Sequence, residues 1–298
     1  MKLTLKLMIG LSVIYAGLLI VPGYGPVTDT AFYKNTDFSI IAHRGGRGLV
    51  PGNTIEAAIN AVDIGSDIIE VDVHLTADEF LLVRHDAEID TTTDGSGLVA
   101  NMNLVDIQSY KAGYHKLDYP NMIESKILRV PTLKALFQRL PNQRYLIELK
   151  PQKVTSADVL CETILTHGLQ DQVIVGSFHS SVLRYFRKIC PLVPTSLGKS
   201  EITWLVLLER LHLGHLFKSS GYSIQLPFDY AGIKIVRPSL IQLAHDLNLS
   251  VDVWTINDSE SMQVLLELGV DGIITDRPDR LETIVSLDKK KVNISGVD

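Results

Sequence analysis

The sequence predicts an α/β fold, a (β/α)₈ barrel with a small insertion after the second strand and an apolar helix ahead of it. Three observations carry this. The 298 residues suit one barrel-sized domain plus a leader. From residue 38 onward, short apolar runs alternate with helical patterns. Those runs are continuously apolar rather than alternating, as strands buried on both faces are.

The first element is the leader. Lys2 and Lys6 precede an uncharged apolar run over 7–21, which ends at Pro22 and Gly23. A positive flank, an apolar stretch and turn residues describe a signal peptide or signal anchor over 1–23. No small-x-small cleavage site follows, which favours an uncleaved anchor. The next lysine is Lys34, so the charge bias puts the N-terminus in the cytoplasm. The domain is then extracytoplasmic, periplasmic or lumenal, or secreted if the leader is cleaved. A buried helix of the domain is the plain alternative. Residues 24–37 are polar and turn-rich and read as a linker. The barrel domain spans 38–285, and 286–298 reads as a polar tail.

The strand runs are 39–43, 67–73, 80–85, 145–150, 172–178, 195–197, 222–226, 251–255 and 272–275. That is one run too many for eight strands. Only residues 74–79 separate the second run from the third, whereas a parallel crossover needs about a dozen. The 80–85 run is therefore expected to fold back antiparallel or leave the barrel, and the other eight can close. Asn53, Ser156, Ser239 and Asp258 are expected to start helices; Gly65, Gly168 and Gly269 stop three of them. Residues 86–130 form the insertion over one barrel mouth. Residues 201–217 are apolar on all sides and read as a buried barrel helix, with a lipid-touching surface as the alternative.

Composition narrows the function. Hydrophobic residues make up 46% and charged residues 21%, so a full core is available. The net charge is −6 with no long basic tract, which argues against nucleic acid as a partner. Cys161 and Cys190 lack zinc spacing and read as two half-buried thiols, with one bridge as the alternative in an exported domain.

Chemistry gathers at strand ends, where such barrels react. Glu70 and Asp72 stand two apart on one strand, so they share a face. Ile69, Val71 and Val73 take the other face, toward the helices. Glu148 adds a third carboxylate from the next barrel strand. Three hard oxygen ligands suit Mg²⁺ or Ca²⁺. Ion pairing with Arg44, Arg84 and Lys150 is the plain alternative. His43 and His85 end neighbouring runs and supply a proton acceptor and a proton donor. Arg44 and Lys150 can hold phosphoryl oxygens, and Gly45 and Gly46 let backbone approach them. His74, His115, His167, His179, His212, His215 and His245 lack such company and read as surface or packing residues.

These motifs resemble the glycerophosphodiester phosphodiesterase family. His43-Arg44-Gly45-Gly46, Pro51-Gly52-Asn53-Thr54, Glu70-Val71-Asp72-Val73, His85-Asp86, Thr92-Thr93-Asp94-Gly95-Ser96-Gly97, Glu148-Leu149-Lys150, Val253-Trp254-Thr255-Ile256-Asn257 and Gly272-Ile273-Ile274-Thr275-Asp276-Arg277-Pro278 follow the family's order over 39–283. The resemblance implies a TIM barrel, a divalent ion on Glu70, Asp72 and Glu148, and His43 with His85 as the acid–base pair. It places Trp254 at the substrate mouth, where packing is the plain alternative. The implied reaction releases glycerol 3-phosphate and an alcohol from a small-molecule diester. Rival expectations are a lysophospholipase D acting on lysolipids and a decayed, membrane-tethered binding module. The latter is motivated by Gly52, which stands where the family usually has glutamate. Oligomeric state is not legible.

Overall fold

A computed structural model describes residues 2–34, 36–113, 128–230 and 232–295. Its centre is a parallel sheet built from β1 (Ser39–Ala42), β2 (Ile68–Leu75), β4 (Arg144–Leu149), β5 (Val173–Gly176), β6 (Ser223–Pro227), β9 (Ser250–Trp254) and β10 (Gly272–Thr275). The spatial order is β5-β4-β2-β1-β10-β9-β6. Residues 195–197, expected as a full strand, contribute two parallel bridges instead. Val175 pairs with Thr195, and Ser196 with Ser223. These link β5 to β6 and close the ring. As expected, the extra run folds back: β3 (Leu81–Val83) pairs antiparallel with β2.

Helices cover the outside: α2 (Ile55–Ile64), α4 (Leu133–Arg139), α5 (Val154–Thr166), α6 (Ser180–Ile189), α7 (Lys199–Arg210), α8 (Pro238–Asp246), α9 (Ser259–Leu268) and α10 (Pro278–Ser295). The stretch expected as a polar tail from 286 is helical as far as Ser295. Strand parity sorts the side chains. Ile69, Val71, Val73, Tyr145, Ile147 and Leu149 point outward into a core with α2, α4, α5 and α6. Ile41, Ile68, Leu146, Ile174 and Ile274 point inward and form the lower filling of the barrel with Phe32. Glu70, Asp72 and Glu148 lie above that layer on the same inward faces.

Several helix starts differ from expectation. Thr54, not Asn53, caps α2, its Oγ1 accepting from Ala57 N at 3.1 Å. The cap of α5 is Lys153, and Ser156 lies one turn inside, donating to Lys153 O. Arg237 precedes α8, which opens on Pro238. Asp258 does cap α9, and Gly65 and Gly269 end their helices at φ 104° and 79°.

The two cysteines are not free thiols. Cys161 on α5 and Cys190 after α6 form a disulfide. The α7 segment is not a fully buried helix. Leu205 and Leu208 are buried, while Trp204, Leu207 and Leu211 are exposed. The leader forms α1 (Lys2–Ile20), and its described apolar side chains are largely exposed rather than packed in the barrel. Among the described residues, no helix is long and apolar enough to cross a membrane. The described part of the insertion has its own small core of Leu82, Ile89, Val99, Ile107 and Val130 and carries α3 (Leu104–Ser109). A two-stranded hairpin, β7 (Asp229–Tyr230) and β8 (Ile233–Lys234), follows β6.

Candidate active site

The site is built at the C-terminal ends of β1, β2 and β4. Register sets Asp72 directly beside Glu148 across the β2–β4 pair. Oxygens of Glu70, Asp72 and Glu148 all lie within 4.8 Å of one another. Glu70 and Asp72 are buried, and Glu148 is half-buried. Burial and the Asp72 charge hold the Glu70 carboxyl well above its ordinary pKa. Burial likewise raises Glu148, although Lys150 opposes it. Burial also pushes Asp72 up, but Lys150, Arg44 and His85 outweigh it and leave Asp72 below its ordinary value. Three carboxylates this close repel when all are ionised. A divalent cation with oxygen preference fits the donor set, because it would offset that repulsion and use every group as a ligand.

The turn after β1 turns its backbone toward these acids. Arg44 sits at φ 53°, followed by Gly45 at 77° and Gly46 at 84°. A Cβ on Gly45 would stand 2.9 Å from Ala58 N, so glycine is required for the approach to α2. The result is an Arg44 N–H that donates to Glu70 Oε2 at 2.7 Å. The Arg44 Nε lies 3.4 Å from Asp72 Oδ2 without hydrogen-bond geometry, a charge contact only. Lys150 Nζ reaches Asp72 Oδ1 at 3.0 Å and Glu148 Oε1 at 2.8 Å. The ion pairing weighed as the plain alternative is therefore present for Arg44 and Lys150. Arg84 instead donates to the carbonyls of Asp86 and Glu88.

His43 and His85 both line the cavity over the acids. His43 Nδ1 bonds Asp276 Oδ1 at 2.6 Å, and its Nε2 lies 4.0 Å from Glu70 Oε2. His85 Nδ1 bonds Asp86 Oδ1 at 2.7 Å. Each ring thus has one nitrogen oriented by a carboxylate and one left over. Burial lowers the His85 pKa, with Arg44 and Lys150 adding to the effect and Asp72 opposing it. His74 packs beside the site, its Nε2 bonding the His85 carbonyl at 2.9 Å. His245 pairs with Asp271 at 2.9 Å, and His115 lies outside the described residues.

Sequence reasoning passed over four residues here. Asp276 takes the His43 ring, Arg47 Nε at 2.9 Å and Asn257 Nδ2 at 2.9 Å. His43 and Arg47 hold its pKa at about 2, against the opposing effect of burial. Asn53 donates to Asp72 Oδ2 at 2.9 Å. Asp86 orients His85. Asp276, Asn53, Asp86 and Asn257 all stand inside motifs quoted above, so position in a motif was the available signal. At Gly52, an added Cβ would stand 2.7 Å from Arg47 Cβ. The side chain of Arg47 occupies the space beside that glycine.

From the acids, a cavity of about 640 Å³ runs along β6, α7 and the β7–β8 hairpin. Trp254 lines it and meets Phe178 edge-on at 6.3 Å. A closed parallel barrel, three clustered acids that could bind a divalent metal and two carboxylate-backed imidazoles define a hydrolase-type site.

Comparison with known proteins narrows the class to a family. The chain belongs to the glycerophosphoryl diester phosphodiesterase family, whose model matches residues 43–280. A Bacillus subtilis (strain 168) protein is 33% identical over 245 residues, which is 80% of this chain and 95% of the relative. A glycerophosphodiester phosphodiesterase of Caldanaerobacter subterraneus subsp. tengcongensis is 32% identical over 256 residues, covering 84% of this chain and 98% of the relative. An Oleispira antarctica phosphodiesterase, solved with the product sn-glycerol-3-phosphate, shares the fold with a TM-score of 0.71 at 22% identity. That match covers 87% of this chain and all of the other.

Proposed function

We propose that the protein hydrolyses glycerophosphodiesters to glycerol 3-phosphate and an alcohol. The observation that carries this is the convergence of Glu70, Asp72 and Glu148 in a cavity that the His43 and His85 rings also line. Those three acids would hold one Mg²⁺ or Ca²⁺, which when bound supplies Lewis-acid stabilisation of phosphoryl charge. The chain's own residues do the rest. Arg44 offers a guanidinium, and Lys150 an ammonium, to phosphoryl oxygens entering the cavity. Asp276 accepts the Nδ1 proton of His43 and leaves Nε2 for the reaction; Asp86 does the same for His85. One ring takes a proton from the nucleophile, water or the adjacent glycerol hydroxyl. The other gives one to the departing alcohol oxygen. Trp254 forms part of the wall against which the substrate is positioned.

Helix α1, which is not long and apolar enough to span a bilayer, is proposed to hold the domain at a membrane through its exposed apolar side chains, with the catalytic domain outside the cytoplasm. The Lys2 and Lys6 flank, the exposed apolar side chains and the Cys161–Cys190 bridge support this, because such bridges persist in oxidising compartments.

The test is release of glycerol 3-phosphate from glycerophosphocholine by the full chain, stripped with chelator and then given Mg²⁺ or Ca²⁺. Turnover should vanish and return. His43→Ala and His85→Ala should each lower kcat by about 100-fold or more with the fold intact. Near-normal turnover by either variant contradicts the assigned roles, and no turnover with any divalent ion favours the decayed binding module.

A further inference from the structure

A second, smaller cavity of about 40 Å³ adjoins the active site and shares Arg44, Arg47 and His85 with it. Its further wall includes Arg84, just after β3, together with Gly52 and Thr92. One water needs roughly 10–15 Å³ of such space, so this cavity takes a group of a few heavy atoms.

Arg84 is only 3% exposed. Its Nε donates to Asp86 O at 2.7 Å and its Nη2 to Glu88 O, while Nη1 is buried and has no partner. The hydrogen bonds of this guanidinium therefore go to carbonyls and none to a carboxylate. Burial lowers its pKa against the pull of Asp86 and Asp90, yet a guanidinium keeps its charge in a protein. A buried cation with an idle donor is costly unless an anion completes it.

The neighbouring charges do not supply that anion. Arg44 is set against Asp72 at 3.4 Å and Arg47 against Asp276 at 2.9 Å. Among the described residues, Asp86 is the one acid that lines the small cavity, and its oxygens already serve His85 Nδ1 and Thr91 O–H. Gly52, where the family usually has glutamate, leaves this wall without a second carboxylate. Three guanidiniums thus face one engaged acid.

We propose that the small cavity is an oxyanion subsite, in which Arg84 Nη1 binds a carboxylate or phosphate group at the end of the substrate's head group. This rests on the phosphodiesterase reading above and names the head groups that the site prefers. The guanidinium fork matches either oxyanion. A choline or ethanolamine head group brings only a cation to these arginines and leaves Nη1 idle. His85 lines both cavities, so an ester arm that passes it from the acids enters the subsite. The reaction is unchanged: water adds across the bond from phosphorus to the head-group oxygen. The head group leaves as its free alcohol, with no redox change.

The experiment measures kcat/KM of the full chain on glycerophosphoserine and glycerophosphoethanolamine, whose head groups differ by one carboxylate. The wild type should favour the serine diester by about tenfold or more, because a site built to bond a polar group rejects the analogue that lacks it. Arg84→Gln should bring that ratio close to one, and Arg84→Lys, which keeps the charge, should retain part of it. A ratio does not depend on how much of a variant folds, so loss of folded protein cannot mimic the result. Equal kcat/KM for the two diesters in the wild type overturns the head-group assignment and leaves the phosphodiesterase reading standing. If, in addition, inorganic phosphate inhibits the wild type but not Arg84→Gln, the occupant is a free anion instead. A serine preference that both Arg84 variants keep in full overturns the role of Arg84. Hydrolysis of neither diester by the wild type overturns this proposal together with the phosphodiesterase reading.

Discussion

At His43, a single tautomer is enforced by a neighbour 233 residues away. Asp276 is ionised at any physiological pH, with its pKa at about 2, and accepts from Nδ1 at 2.6 Å. The free Nε2 then keeps its lone pair toward the acids. Asparagine at this position can offer a proton where the carboxylate only accepts, so the opposite tautomer gains. Asp276→Asn should lower kcat by roughly 100-fold with little change in KM. The ¹⁵N shifts of the His43 ring should show the altered tautomer, a signature that loss of packing alone does not produce. Wild-type kcat in this variant contradicts the positioning role. The Glu70–Asp72 face was legible because a strand has a period of two. Asp276 was not, because loops and barrel closure, rather than local spacing, bring it to His43. The Gly52 departure has a steric account in the adjacent Arg47, which also binds Asp276.

At the level of elements, β9 carries a buried acid that does not line the cavity. Asp252 is 1% exposed and accepts from Tyr33 O–H at 3.3 Å and Ser250 O–H at 3.1 Å. Burial and the Asp271 charge raise its pKa to about 7, against the pull of Arg144. A carboxyl whose folded pKa exceeds its unfolded value makes the folded state hold its proton more tightly. That stabilisation is complete below about pH 4 and is lost as pH rises through about 7. The loss is at most roughly 4 kcal/mol. Asp252→Asn should therefore shrink the fall in Tm between pH 5 and pH 8. An unchanged fall in the variant contradicts this origin. Most strands were legible as apolar runs, and crossover length alone predicted the fold-back of β3. The weakness of 195–197 was not legible, since two bridges suffice to close the ring. An all-round apolar segment cannot reveal which of its sides will stay exposed, which is why α7 differs from expectation. The Cys161–Cys190 bridge depends on how α5 packs on α6, a contact that spacing does not encode.

At the scale of the molecule, barrel closure does the assembling. The ring sets an apolar layer of Ile41, Ile68, Leu146, Ile174 and Ile274 below and the acids above. It brings the ends of β1 and β10 together, so that His43 meets Asp276. The antiparallel return of β3 carries His85 back over the same mouth. Everything proposed for the reaction depends on the three carboxylates sharing one cation. Calorimetric titration of the metal-free full chain with Mg²⁺ and with Ca²⁺ tests that most directly. One ion should bind per chain, with affinity reduced at least about tenfold in each of Glu70→Gln, Asp72→Asn and Glu148→Gln. No binding of either ion, or binding that none of the three substitutions weakens, would contradict the account.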